Sequence, residues 1–364
     1  MAKTLLTNRL KPLRGIFKRR RNAGFTLTEL LVSMIIGALM TVMLLSLVVD
    51  LTKTNQEDAA RSQVQLDMQA ALDYVAQDLR EAVFVYNGEC LAGNGIPTAT
   101  DFDKQCPGIV NYIPEEMNRD GRTSVLAFWR AEPLPKKIRD ICGKNATNLT
   151  NLVEAQVVPC ISGATYSLVV YAIDTTNVSN LWKGNARLVR YKLSQFPDDP
   201  ADEQDQNQGY VNPLRSADLT FQQWPLQLSK GEVSDRQNTE AYKPGKPNNQ
   251  PFVLVDFVDD RGAVVEDKDG KPVPVTPSCE EFGTDPPSQA NALSPKNTKV
   301  RGFYACVRNG GLGSANQEGA NQDVLLTLVG NVTGQSGFAK EYDNKNRLSP
   351  LQTRVLVRGA VRKS

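Results

Sequence analysis

No histidine occurs anywhere in the 364 residues. Its absence removes the Ser-His and Cys-His nucleophile systems and the commonest zinc ligand. Paired carboxylates could still serve hydrolysis, but no such pair stands out, so neither catalytic residue, metal nor cofactor is expected. The six cysteines, Cys90, Cys106, Cys142, Cys160, Cys279 and Cys306, include no C-x-x-C pair. That spacing argues against metal binding and for disulfides in an oxidising compartment. Six cysteines allow fifteen connectivities. Proximity along the chain favours Cys90 with Cys106, Cys142 with Cys160 and Cys279 with Cys306; buried free thiols are the competing reading.

Positive charge is scarce where it would matter for nucleic acid. The net charge is +2, yet residues 1–24 hold Lys3, Arg9, Lys11, Arg14, Lys18, Arg19, Arg20 and Arg21 and no acid. Without those eight the remainder carries −6, so general nucleic-acid affinity is not expected.

Charge of either sign is missing altogether from residues 30–49. Twenty uncharged, largely apolar residues are enough for a helix to cross a hydrocarbon core of about 30 Å. The run is longer than a secretory h-region and has no A-x-A-like end; a plain signal anchor is the simplest alternative. One carboxylate, Glu29, stands at its edge, and a lone carboxylate there is costly unless something pairs with it.

Basic leader, Gly24, Phe25, Thr26, Leu27, Glu29, Leu30 and Leu31 together resemble the prepilin signature of type IV pilins and type II secretion pseudopilins. The resemblance implies cleavage by a prepilin peptidase after Gly24 and methylation of the new N-terminal Phe25. It also implies that Glu29 neutralises the N-terminal amine of a neighbouring subunit as helices pack into a filament. Three features depart from common members: Thr28 replaces an aliphatic residue, the leader is long, and no kinking proline interrupts the span.

Neither proline nor glycine occurs between Ala38 and Tyr86. Val64, Met68, Leu72, Val75, Leu79 and Val83 recur at spacings of three and four, predicting an amphipathic continuation of the helix. One helix over residues 26–85, stopped by Asn87-Gly88, would run roughly 90 Å. Too few heptads are sustained for a coiled-coil stalk.

Beyond it, residues 90–116 read as a loop region. Strands are expected at 124–130, 166–173, 186–193, 252–258, 301–309, 323–330 and 353–361, with a hairpin over 259–275. The alternation over residues 187–193 predicts an antiparallel sheet with one polar face. Residues 197–250, with an acidic cluster at 198–205, read as a long polar surface insertion. The L-V-R-Y strand resembles J-type minor pseudopilins, and the V-L-V-R-G-A ending resembles the pseudopilin of hormogonium polysaccharide secretion in filamentous cyanobacteria.

The expected fold is therefore α+β and pilin-like, a long helix packed on an antiparallel β-sheet domain with long loops. Its expected segments are a leader over 1–24, a membrane span over 25–51, an amphipathic continuation over 52–86 and an extracytoplasmic β-rich domain over 87–364. By the positive-inside tendency the N-terminus stays in the cytoplasm and the domain reaches the periplasm. The implied partners are the prepilin peptidase, other pilins or pseudopilins and an inner-membrane assembly platform, and the implied role is a non-enzymatic filament subunit serving secretion or motility. Two alternatives stand beside it: an adhesin or polysaccharide-binding tip using residues 197–250, and a signal-anchored single-pass receptor. Asp267-Lys268-Asp269-Gly270 resembles a fragment of a calcium loop but lacks the remaining ligands. Asn145, Asn148, Asn177 and Asn331 open N-glycosylation sequons.

Overall fold

A computed structural model describes residues 24–144, 158–177, 180–213, 220–238, 245–262, 264–266, 268–269, 271–279, 292–296, 301–308 and 322–357. The described residues up to 55 form one unit and those from 56 onward a second.

The first unit is the start of helix α1 (Leu27–Arg80). Every described residue from Gly24 to Gln56 is exposed, including the whole apolar run. Among the described residues, α1 is the one helix long and apolar enough to cross a membrane.

Within the second unit α1 buries Ala60, Val64, Met68, Ala71, Leu72, Val75, Ala76, Asp78 and Leu79. This is the predicted stripe, and each of its large apolar side chains contributes about 1.5–3 kcal/mol by leaving water. The helix stops at Arg80, five residues earlier than expected. Ala82–Val85 becomes strand β1, because Ala82, Phe84 and Val85 pair with β2 (Arg122–Pro133). A short helix α2 (Gly88–Ala92) follows, with the Asn87 side chain accepting from the Cys90 amide.

The strands continue with β3 (Ala164–Asp174), β4 (Ala186–Leu193), the hairpin β5 (Leu226–Ser229) and β6 (Glu232–Asp235), and β7 (Phe252–Val258). Then come the hairpin β8 (Val264–Glu266) and β9 (Pro272–Pro274), then β10 (Leu293–Ser294), β11 (Phe303–Arg308), β12 (Asp323–Leu328) and β13 (Leu351–Leu356). Pairing is antiparallel throughout. A five-stranded sheet runs β1-β2-β3-β4-β7 and a four-stranded sheet runs β10-β11-β12-β13. The architecture is α+β and pilin-like, a long N-terminal helix followed by an antiparallel β domain. Residues 358–361 of the last expected strand lie outside the described residues.

Two cores sandwich the larger sheet. On one face α1 meets Leu126, Phe128, Tyr171 and Leu188, and the four-stranded sheet adds Phe303, Leu326, Leu328 and Val355. Gly330 approaches α1 so closely that a Cβ there would stand 3.0 Å from Met68 and 3.1 Å from Val64. On the other face Trp129, Leu168 and Tyr191 pack against Cys90, Ile109, Ile113 and Met117, so the expected loop region over residues 90–116 is a structured cover.

Two expectations fail here for one reason. The larger sheet has no polar face: β4 is buried along both sides, and Arg187 and Arg190 lie inside. Nor is 197–250 a mere surface insertion, since its few apolar residues, Tyr210, Val211, Phe221 and Trp224, close the second core. Trp224 donates to the Val211 carbonyl at 2.7 Å, and Trp129 donates to the Tyr86 hydroxyl at 2.8 Å. Polar composition hid a handful of aromatics that the sheet requires as its lid.

Helix α3 (Lys136–Lys144), not anticipated from the sequence, lays Ile138 against Leu134, Val158 and Phe196. Three disulfides join Cys90 to Cys106, Cys142 to Cys160 and Cys279 to Cys306, with Cα separations of 5.0, 5.5 and 5.6 Å. These are the pairs that proximity along the chain favours.

Candidate functional site

The start of α1 is organised by Thr26. Its carbonyl accepts from the amides of Glu29 at 3.0 Å and Leu30 at 3.1 Å, and its hydroxyl accepts from the Glu29 amide at 3.3 Å. Thr26 thus caps the helix, satisfying one of the amides that an N-terminus leaves unpaired. The spacing Thr26-x-x-Glu29 is that of a capping box, in which the glutamate would reach back to the cap residue. Glu29 does not close that box. Among the described residues its carboxylate meets no partner, standing one turn into a helix whose positive end favours a negative charge there.

Gly24 and Phe25 precede the first turn outside any helix or strand, with Phe25 78% exposed. A peptide bond between them is open to an enzyme. The leader up to residue 23 lies outside the described residues.

Polar groups within the apolar run are consumed locally. Ser33 donates to the Leu30 carbonyl at 2.9 Å, Thr41 to Gly37 at 2.8 Å and Ser46 to Met43 at 2.8 Å. In lipid an unsatisfied hydroxyl is expensive, and back-bonding to the helix removes the need for an outside partner. Glu29 is therefore the exception in this stretch. A side chain built on Gly37 would touch nothing within 4 Å, so its surface is open.

These features coincide with a recognisable signature: residues 19–45 match the family model of the prokaryotic N-terminal methylation motif. The chain carries a prokaryotic N-terminal methylation motif. This motif is type IV pilin-like, and it implies processing by a prepilin peptidase and assembly with other pilins. It suggests a structural rather than an enzymatic protein and, with the apolar helix, is consistent with a single-pass membrane anchor. No curated protein and no solved structure matches the chain.

A second constellation, far along α1, escaped the sequence. Asp78 is 6% exposed and is held from three strands at once. Arg130 of β2 donates to its Oδ1 at 2.6 Å, while Arg190 of β4 and the Tyr171 hydroxyl of β3 reach Oδ2 at 2.8 and 2.6 Å. Burial, and then the charge of Asp78, push the Tyr171 hydroxyl far above its ordinary pKa, so it stays a donor. Arg130 also bridges to Glu132, whose Oε1 takes Lys192 at 2.9 Å and whose Oε2 accepts from Ser167. Across the sheet, Arg187 bonds the carbonyls of Asp174 and Thr176 and lies 5.8 Å from the Trp182 ring centroid. The only sequence signal for this network was an arginine pair in a strand of β-branched residues, which is ordinarily a solvated edge.

Other sequence candidates come to less. Asp267 and Gly270 lie outside the described residues, and no group of three acidic, cysteine or histidine residues gathers in metal-holding positions among those described. Asn145, Asn148 and the last two residues of the Asn177 sequon also lie outside them. Asn331 and Thr333 are buried, with Asn331 donating to Asp259 at 3.1 Å, so that sequon is closed to modification in the folded chain.

Proposed function

We propose that this chain is a minor pseudopilin: a non-enzymatic subunit, cleaved after Gly24, methylated on Phe25 and built into a pilus-like filament. The observation that carries the reading is Glu29, a carboxylate that meets no partner among the described residues, at the head of an apolar helix whose hydroxyls are satisfied locally. The new amine at Phe25 of a neighbouring subunit supplies the missing cation. Slipped stagger leaves the carboxylate unpaired in a nearly dry environment, so correct register is selected.

In this reading residues 1–24 are the leader, residues 25–51 sit in the inner membrane, and the β domain lies in the periplasm. Three disulfides suit an oxidising compartment. Of the machines such a subunit can serve, we put polysaccharide export first, on the resemblance of the V-L-V-R-G-A ending.

The deciding measurement is the N-terminal mass of protein purified from its native membrane. A start at monomethylated Phe25 is expected, and an intact Met1 overturns the reading in favour of a signal-anchored protein. Glu29→Ala should then be cleaved and membrane-bound yet poorly incorporated into filaments, and normal incorporation would remove Glu29 from the register role.

A further inference from the structure

In the second unit α1 has an outward face as well as a buried one. Leu66 and Tyr74 are exposed on it, 62% and 41% respectively, with Ala70 between them. Phe252, at the start of β7, is 47% exposed and shares the Arg190 guanidinium with Tyr74, their ring centroids lying 5.6 and 5.7 Å from it. Arg190 is itself tied to Asp78, so both rings are held in place before any partner arrives. A tyrosine and an arginine held in place before binding match the residue types enriched in binding hot spots, and Leu66 adds exposed apolar surface eight residues earlier on the helix. From residue 57 to 74 the helix carries four carboxylates, Glu57, Asp58, Asp67 and Asp73, against one guanidinium, Arg61. Arg61 is spent over the Phe338 ring, at 5.1 Å.

The complementary pattern stands elsewhere on the same subunit. Helix α3 buries Ile138 and turns Lys136, Lys137, Arg139 and Lys144 to solvent against a single acid, Asp140. None of these four cations has an ion-pair partner among the described residues. The Cys142–Cys160 disulfide ties this helix to Ile161, which is 80% exposed. One lobe thus offers a basic helix tied to an exposed isoleucine, and the α1 face offers exposed aromatic and aliphatic side chains on a helix segment rich in carboxylates.

We propose that the outward face of α1 around Leu66, Tyr74 and Phe252 docks the basic α3 lobe of a second copy of this chain. The contact joins two different surfaces, so it is heterologous and does not by itself close a two-fold dimer. It rests on the reading of the chain as a filament subunit, since the same helix carries the assembly motif. Opposed rims set orientation and speed the encounter, and salt weakens both effects.

The test uses the full-length chain in its native membrane with a photoreactive amino acid at position 66, expressed with light and heavy isotopes in separate copies. The expected result is a mixed light–heavy adduct between position 66 and residues 136–144 or Ile161. Reversing Lys136, Lys137 and Arg139 to Glu should lower the adduct about tenfold or more, as should reversing Asp58, Asp67 and Asp73 to Lys. Copies bearing opposite reversals, once mixed, should recover it. Adducts confined to other segments, to other proteins or to one copy overturn the docking, and so does failure of the mixed reversals to recover. The substituted positions are exposed apart from the half-buried Asp67, and an unchanged melting temperature separates lost docking from lost folding. The N-terminal mass of the same sample keeps the two readings apart: a retained Met1 counts against the filament subunit, and a mature terminus without the adduct counts against the docking alone.

Discussion

The two halves of α1 share a secondary structure and almost nothing else. From Leu27 to Leu51 every side chain is exposed and the hydroxyls are tied to the helix itself. From Ala60 to Leu79 a stripe is buried against two sheets, with one carboxylate shared among three strands. The first half is consistent with a membrane anchor, where the surroundings offer no hydrogen bonds, and the second is fitted to one particular surface. Substitutions should therefore act differently on each, and the contrast can be broken or sharpened by experiment.

The largest effect is expected at Asp78. Asp78→Ala strands Arg190 in the interior and leaves Arg130 to Glu81 and Glu132, and breaking a buried ion pair costs about 3–5 kcal/mol. Thermal unfolding of the β domain should register that loss while cleavage at Gly24 proceeds. A melting temperature within a degree of the parent's would mean that the helix is held by its apolar stripe alone.

Next in size is the Cys279–Cys306 link, which closes a sequence separation of 27 residues. Replacing both by Ser should cost about 2–4 kcal/mol, read as a lower denaturation midpoint in urea. The apolar half of α1 contains no such tie, and reductant should leave its membrane retention unchanged.

A smaller effect depends on pH. Burial pushes the Glu132 carboxyl up, but the Ser167 hydrogen bond, the Lys192 charge and the Arg130 contact outweigh it and hold the group below the usual glutamate range. A depressed folded pKa contributes stability that is complete above the unfolded value of about 4.3 and is lost as pH falls below it. The melting temperature of the parent should drop as pH is lowered from 5 toward 3, at roughly the range where Glu titrates. Glu132→Gln should flatten part of that slope; an identical slope would assign it to other carboxylates.

The smallest effect belongs to the first half of the helix. Ser33→Ala removes one bond internal to the helix, and a change within about 0.5 kcal/mol is expected, as for substitutions outside packed features. Filament incorporation should be unaltered. A defect as large as that of Glu29→Ala would show that Ser33 faces a neighbour.

Much of the fold was legible because its signals are local. An uncharged run of span length, a glycine and glutamate at fixed offsets, and β-branched strands bounded by turn residues need no tertiary context, and the strands at 186–193 and 252–258 fell where expected. Proximity along the chain sufficed for the cysteines. What the sequence hid depends on partners distant in the chain. Residues 82–85 continue a helical period, and only the edge of β2 turns them into a strand. Arg187 and Arg190 look solvated until Asp174 and Asp78 are brought to them. Tyr210, Phe221 and Trp224 are too sparse within a polar stretch to announce a core. At the site itself, Gly24 and Glu29 stood out from the sequence, whereas the Thr26 cap and the unclosed box needed coordinates.

Val85 offers a last consequence. Its amide and carbonyl, on the edge of β1 away from β2, are both taken by the Gln322 side chain, at 2.7 and 2.8 Å. Since β1 follows α1 after one intervening residue, a pull on the helix is delivered almost at once to this strand. The strand is gripped by β2 along one edge and by a residue beside the second sheet along the other, so tension spreads through both sheets of the domain. A subunit drawn out of a bilayer by its helix would be lifted as a whole, with its load path ending at an amide that acts as a one-residue strand.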